Sequence, residues 1–110
     1  MQRRSAKVTK GNIHLIPFPF TDLCNAKLRP CVILGADRED MVVVFITSKK
    51  PKDRNFIEIL PTNLNGLKAK SFIRYTKIAT LDVHTSLGRI GVLDKKTHSL
   101  VISRLVEFLS

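Results

Sequence analysis

The residues able to do chemistry are scattered along this chain, and their spacing narrows what they can do. Three histidines, His14, His84 and His98, are too far apart to form a recognisable metal site. Cys24 and Cys31 show no CxxC spacing, so neither a structural zinc site nor a disulfide framework is indicated, and both read as reduced thiols. The cations are better grouped. Lys49, Lys50, Lys52 and Arg54 crowd one stretch, where they either track the backbone of a polyanion or form a solvated face. Arg29 precedes Pro30, and a guanidinium presents a fork of donors that matches phosphate geometry. Taken alone it is better read as an ordinary surface cation where a strand begins. Thr47 closes an apolar run, as a hydroxyl able to donate to a phosphoryl oxygen or as a β-branched side chain chosen for packing.

The charge balance says what kind of partner such cations would meet. Lys and Arg number 19 against 9 Asp and Glu, a net charge of +10 on 110 residues. A field of that size attracts polyanions without reading their sequence, so nucleic acid is the leading partner class, with nonspecific DNA binding included. An acidic protein segment or an anionic membrane surface would answer the same charge. With 44% apolar and 25% charged residues the chain is neither disordered nor fibrous, and its length suits a single domain. The apolar runs Cys31 to Leu34 and Met41 to Ile46 are too short to span a bilayer, and no signal-peptide stretch follows the basic N-terminus. The expectation is a cytoplasmic protein.

The positioning elements are mostly strands. Residues 1–10 carry Arg3, Arg4, Lys7 and Lys10 without apolar periodicity and read as a mobile basic arm, leaving 11–110 as the folded domain. A strand from Asn12 should be broken at Pro17-Phe18-Pro19, since proline lacks the backbone donor, and a loop should run from Phe18 to Arg29. Val32 to Leu34 and Met41 to Ile46 form a hairpin about the polar turn Ala36 to Asp40. Because these runs do not alternate, they predict strands covered on both faces. Phe56 to Leu60, Ser71 to Tyr75, Lys77 to Leu81 and Ser86 to Val92 complete six or seven strands, with the turn pair Asn65-Gly66 between. Alternation beside Ile13 and Leu15 turns His14 away from the core. Near the C-terminus the period changes. Val101, Ile102, Leu105, Phe108 and Leu109 share one helical face, and Asp94 is placed to cap that helix. The class is α+β, mainly β: a small barrel with a C-terminal amphipathic helix.

Three ordered segments carry a resemblance to a known family. They are Gly11 to Leu23 with Lys27-Leu28-Arg29-Pro30 and the apolar run after it, Phe45-Ile46-Thr47-Ser48, and Ser71 to Asp82. In order and spacing they resemble the motifs of MazF/PemK toxins of type II toxin–antitoxin systems, over roughly Gly11 to Leu109. The resemblance implies an SH3-like barrel, a homodimer, no cofactor, and metal-independent endoribonuclease activity, a hydrolase class, on single-stranded RNA. It also implies an acidic cognate antitoxin as partner, and it brings Arg29 and Thr47 together as the catalytic pair. In metal-free RNA scission the substrate's 2′-hydroxyl attacks the adjacent phosphate. Arg29 would stabilise the anionic phosphorane while Thr47 positions the reacting groups.

Around that pair, Phe18, Lys27, Ser48, Lys49, Lys50 and Arg74 are the expected substrate-binding residues, with Phe18 and Phe20 offering aromatic faces to unpaired bases. Core packing is the rival role for the aromatics, and a pairing with Glu58 the rival role for Arg74. The chain departs from the family within this third segment, where an acidic residue often stands soon after the strand motif and this chain has Thr76. Asp22 is then the candidate general base, with Asp82 a more distant one. That departure keeps open a non-catalytic binding module on the same barrel, such as a topoisomerase-directed toxin, or a regulator that binds only its partner protein.

Overall fold

In a computed structural model the described residues are 8–19 and 26–110. They form β1 (Asn12–Pro19), β2 (Ala26–Ala36), β3 (Asp40–Thr47), β4 (Ile57–Ile59), β5 (Ser71–Asp82) and β6 (Arg89–Val92), followed by the helix α1 (Lys95–Leu109). A short 3-10 turn at Val83–Thr85 joins β5 to β6. One sheet holds all six strands in the order β4-β5-β3-β2-β1-β6, and every pairing is antiparallel.

The unbroken apolar runs are explained by burial on both faces. Val32 and Val44 belong to an inner cluster with Ile13, Ile46, Ile73 and, from α1, Val101. Their neighbours Ile33, Val43 and Phe45 point the other way, into a second cluster with Ile16, Phe18 and Val83. Because both faces are covered, alternation does not put His14 outside: it is fully buried, contrary to expectation. Val8, assigned above to the arm, packs against the second cluster.

The edge strands β4 and β6 are not bonded to each other, so the barrel stays open. A loop spans the gap. Asn65 is buried and organises it, its Oδ1 accepting from the amides of Thr62 and Leu67 at 3.0 Å each while its Nδ2 donates to the Leu60 carbonyl at 2.9 Å. Gly66 follows at φ 71°, the left-handed turn that an Asn-Gly pair favours. From this loop the Leu64 carbonyl accepts the Val92 amide at 2.8 Å, tying β6 to the segment that follows β4.

Several boundaries differ from those read in the sequence. Pro17 and Pro19 lie within β1, which pairs with β2 as far as Pro19 opposite Ala26. On its other side β1 pairs with β6 only over Asn12 to His14, so beyond that point the prolines occupy an edge where no donor is required. β5 is one strand instead of two. Its register against β3 shifts between Val44 and Ile46, a bulge that bends the strand without ending it. Asp94 caps α1 as expected, accepting the Thr97 amide at 3.0 Å. Of the predicted apolar face Val101 is buried and Ile102 and Leu105 are half-buried, but Phe108 and Leu109 are exposed.

Candidate functional site

The β2–β3 register brings together the two residues singled out for chemistry. The β2–β3 pairing begins with Cys31 opposite Phe45, and Arg29 and Thr47 each lie two residues beyond that pair on neighbouring strands. Both line a groove of about 490 Å³ at this end of the sheet, together with Ser48, Lys68 and the apolar side chains Leu15 and Leu67. The Arg29 guanidinium lies 5.7 Å from the centroid of the Phe45 ring, and Phe45 in turn packs on Phe18 with ring centroids 4.8 Å apart. A cation over an aromatic face gains attraction and loses rotamer freedom, so the two rings hold the guanidinium at the groove.

Thr47 is almost fully buried, and its Oγ1 accepts the Lys49 amide at 3.1 Å. With the oxygen engaged as acceptor, the hydroxyl proton is left to donate. The same bond makes the first turn of the cationic loop that follows β3. Ser48, Lys49 and Lys50 are exposed on this loop, and Lys27 is exposed on β2.

Other expected site residues are placed differently. Phe18 is only 4% exposed, so it supports Phe45 and presents no face to a base. Arg74 pairs with Asp53 at 2.9 Å, not with Glu58, which lies 3.8 Å from Lys70. Asp82 is at the far end of β5, where it caps the short turn by accepting the His84 amide at 2.7 Å. That bond and the contact with the His84 ring hold its carboxyl below the usual carboxylate range. Asp22, Phe20 and Cys24 lie outside the described residues. Thr76 is half-buried on β5. Among the described residues the groove lining contains no carboxylate and no imidazole, and no group of three or more His, Cys, Asp or Glu is arranged to hold a metal ion.

Lys68 went unnoticed in the sequence, as did the groove walls Leu15, Leu67 and Ile90. No local signal marks Lys68. Its place in the groove follows from the loop that bridges the sheet edges, a tertiary relation to which only the Asn65-Gly66 turn pointed.

The charges are polarised along β3. At its Thr47 end lie Arg29, Lys49, Lys50 and Lys68; at its Asp40 end Asp37, Glu39 and Asp40 share a turn with the single cation Arg38, and Asp82 lies directly opposite Asp40. Among the described residues the field therefore favours approach of a polyanion at the groove end.

Comparison with known proteins adds to this geometry. The family described as PemK-like, MazF-like toxin of type II toxin-antitoxin system matches residues 9–109. No curated relative matches the sequence. Among solved structures, a MazF toxin of Mycobacterium tuberculosis superposes with a TM-score of 0.70 at 18% identity, covering 89% of this chain and 95% of that one. A mycobacterial endoribonuclease in complex with its cognate antitoxin gives 0.72 at 14% identity, over 94% and 95% of the two chains. MazE–MazF from Deinococcus radiodurans gives 0.68 at 16% identity, over 94% and 96%. At such identities these likenesses establish a shared fold. No helix among the described residues is long and apolar enough to cross a membrane.

Proposed function

Since this chain belongs to the PemK-like, MazF-like toxin family of type II toxin–antitoxin systems, we propose that it is an endoribonuclease that cleaves single-stranded RNA through the 2′-hydroxyl of its substrate. One observation carries the reading: Arg29 and Thr47, contributed by neighbouring strands, line the same cationic groove. The 2′-oxygen loses its proton and forms a bond to phosphorus, the bond from phosphorus to the 5′-oxygen breaks, the leaving 5′-oxygen takes up a proton from water to become a hydroxyl, and a 2′,3′-cyclic phosphate remains. Negative charge peaks on the non-bridging oxygens of the phosphorane between these events. A guanidinium fixed beside them stabilises that charge without reorganising, and the Thr47 hydroxyl adds a donor. Lys27, Ser48, Lys49, Lys50 and Lys68 draw in and hold the flanking phosphates. Asp22, in the segment joining β1 to β2, is the candidate to take the 2′ proton.

The partners follow from the same surface. An acidic antitoxin segment that covers the groove would neutralise Arg29 and the loop cations and exclude RNA, consistent with structural neighbours that include a toxin bound to its antitoxin. The working unit in this reading is a homodimer, and its compartment the cytoplasm. The test is incubation of the purified, antitoxin-free protein with a long single-stranded RNA in EDTA, with Arg29→Ala alongside. Discrete cuts ending in 2′,3′-cyclic phosphate, absent from the variant, are expected. Uncut RNA that is nevertheless bound with a steep salt dependence would replace the nuclease by a binding module.

A further inference from the structure

The cationic loop, residues 48–56, is held at both ends by side-chain bonds. At its start the Lys49 amide donates to Thr47 Oγ1 at 3.1 Å. At its end Asp53 uses both carboxylate oxygens: Oδ1 accepts the Asn55 amide at 3.0 Å, and Oδ2 accepts from Arg74 Nη2 at 2.9 Å. The neighbouring pair repeats the link, with Tyr75 Oη donating to Asn55 Oδ1 at 3.4 Å. Asp53 is therefore the one acid in a basic loop, and its carboxylate is tied back to β5. The Arg74 side chain is only 17% exposed and its Nε is buried, so the guanidinium lies along the protein surface instead of reaching into solvent. It does not line the groove.

We infer that Arg74 and Asp53 form a clamp that fixes the far end of this loop on β5, so that Lys49, Lys50, Lys52 and Arg54 meet RNA as a positioned array beside Thr47. Arg74 is then a positioning residue that acts through Asp53, not a phosphate ligand. The inference rests on the ribonuclease reading for its consequence but not for its geometry. A long lysine side chain on an unrestrained loop loses conformational entropy each time it meets a phosphate, and a loop held in place has already met part of that cost. The loop cations contact substrate before and during reaction alike. Their disorder should raise KM and leave kcat unchanged.

Two substitutions separate the clamp from its alternatives. Asp53→Asn retains an amide oxygen for the Asn55 turn but removes the carboxylate that faces Arg74, and Arg74→Gln removes the other partner. Limited trypsin digestion reads the loop directly through the Lys49–Lys50 and Arg54–Asn55 bonds, with each rate divided by that of a free peptide of the same sequence. Both variants and their double are expected to be cut faster by the same factor, up to about fivefold for a partly exposed ion pair in a rapidly opening loop. Unchanged rates would remove the clamp. In RNA cleavage both variants should raise KM, even though Asp53→Asn makes the surface more positive. If Asp53→Asn lowered KM while Arg74→Gln raised it, Arg74 would be a direct phosphate ligand and the inference would fall. Should the parent protein cut no RNA, the ribonuclease reading fails, while the trypsin rates still decide the clamp.

Discussion

Two glycines lock the loop that closes the open side of the barrel, and replacing them gives a sharp test of how the groove is held. A Cβ on Gly66 would collide with the carbonyl oxygen of Ile90 and lie 2.9 Å from its carbon; one on Gly91 would collide with the Asn65 carbonyl and lie 2.6 Å from the Leu64 oxygen. All these neighbours are backbone, so no side-chain rotation relieves the overlap. Gly66→Ala adds left-handed strain, at φ 71°, of about 1–2 kcal/mol. Overpacking contributes about 1–3 kcal/mol at either site. Gly66→Ala should thus cost about 2–5 kcal/mol and Gly91→Ala about 1–3 kcal/mol. Gly35 supplies the control, with nothing within 4 Å of its Cβ position and no left-handed φ. There Ala should be neutral or stabilise by up to about 1 kcal/mol. Urea unfolding followed by circular dichroism reads all three. With a slope of about 1–3 kcal/mol per molar, the midpoint of Gly66→Ala should fall by about 1 M or more. Since both substitutions loosen one contact, the double variant should lose less than the two single losses combined. Midpoints for Gly66→Ala and Gly91→Ala within error of Gly35→Ala would refute the lock. Gly66 and Ile90 also line the groove, so the destabilised variants should lose RNA binding as well.

Other predictions test single side chains. Burial, aided by the charge of Arg89, lowers the His14 pKa below its ordinary 6.5, so the fold holds the ring neutral while the unfolded chain binds a proton first. Stability is therefore complete above pH 6.5 and declines as pH falls toward the folded value, whereas Asp37, Asp82 and Asp94, held below 3.8, add their losses only near and below that value. Denaturation midpoints between pH 7 and 5 should fall for the parent and stay level for His14→Gln; an equal decline in both would clear His14. Burial pushes the Cys31 thiol up to about 12, so in a Cys24→Ser background the native protein should resist iodoacetamide at pH 8 and react on unfolding. Rapid labelling of the native protein would contradict the buried site. Thr47→Val removes the hydroxyl and the acceptor for the Lys49 amide, and kcat should fall about 10²–10³-fold, as for loss of an oxyanion donor. Thr47→Ser keeps both and should retain most activity, so equal loss in the two variants would mean that the methyl group, not the hydroxyl, matters.

The parts of this molecule that were legible in its sequence are those set by local rules. Apolar runs without alternation marked strands buried on both faces, the change of period marked α1, and Asp94 marked its start. That Arg29 and Thr47 would lie in one groove was legible only through the motifs around them. A guanidinium before a proline has no intrinsic meaning until the fold brings it to one groove with a hydroxyl. What the sequence hid depends on contacts between distant segments. Pro17 and Pro19 stay within β1 because β6 is too short to demand their missing donors. His14 is buried because a second cluster covers the face to which alternation assigns it.

The same distinction governs the site. Arg29 is held at the groove by Phe45, and Phe45 by Phe18, so an aromatic that looked like a base platform stands two contacts behind the groove. Arg74, which looked like a phosphate ligand, faces Asp53 across the end of a loop. In both cases the sequence placed the residue at the groove, and the structure places it one contact or more behind the groove lining. Aromatic and cationic side chains suit a polyanion directly, and suit equally well the second rank that holds other cations in place. Only burial separates the two: Phe18 and Arg74 are covered, whereas Lys27, Lys49 and Lys50 are exposed. Substitution of an exposed cation should therefore reduce the salt dependence of RNA binding by about one counterion. Phe18→Leu should leave that slope unchanged and lower kcat by releasing Arg29, and a reduced slope in Phe18→Leu would return the ring to the RNA surface.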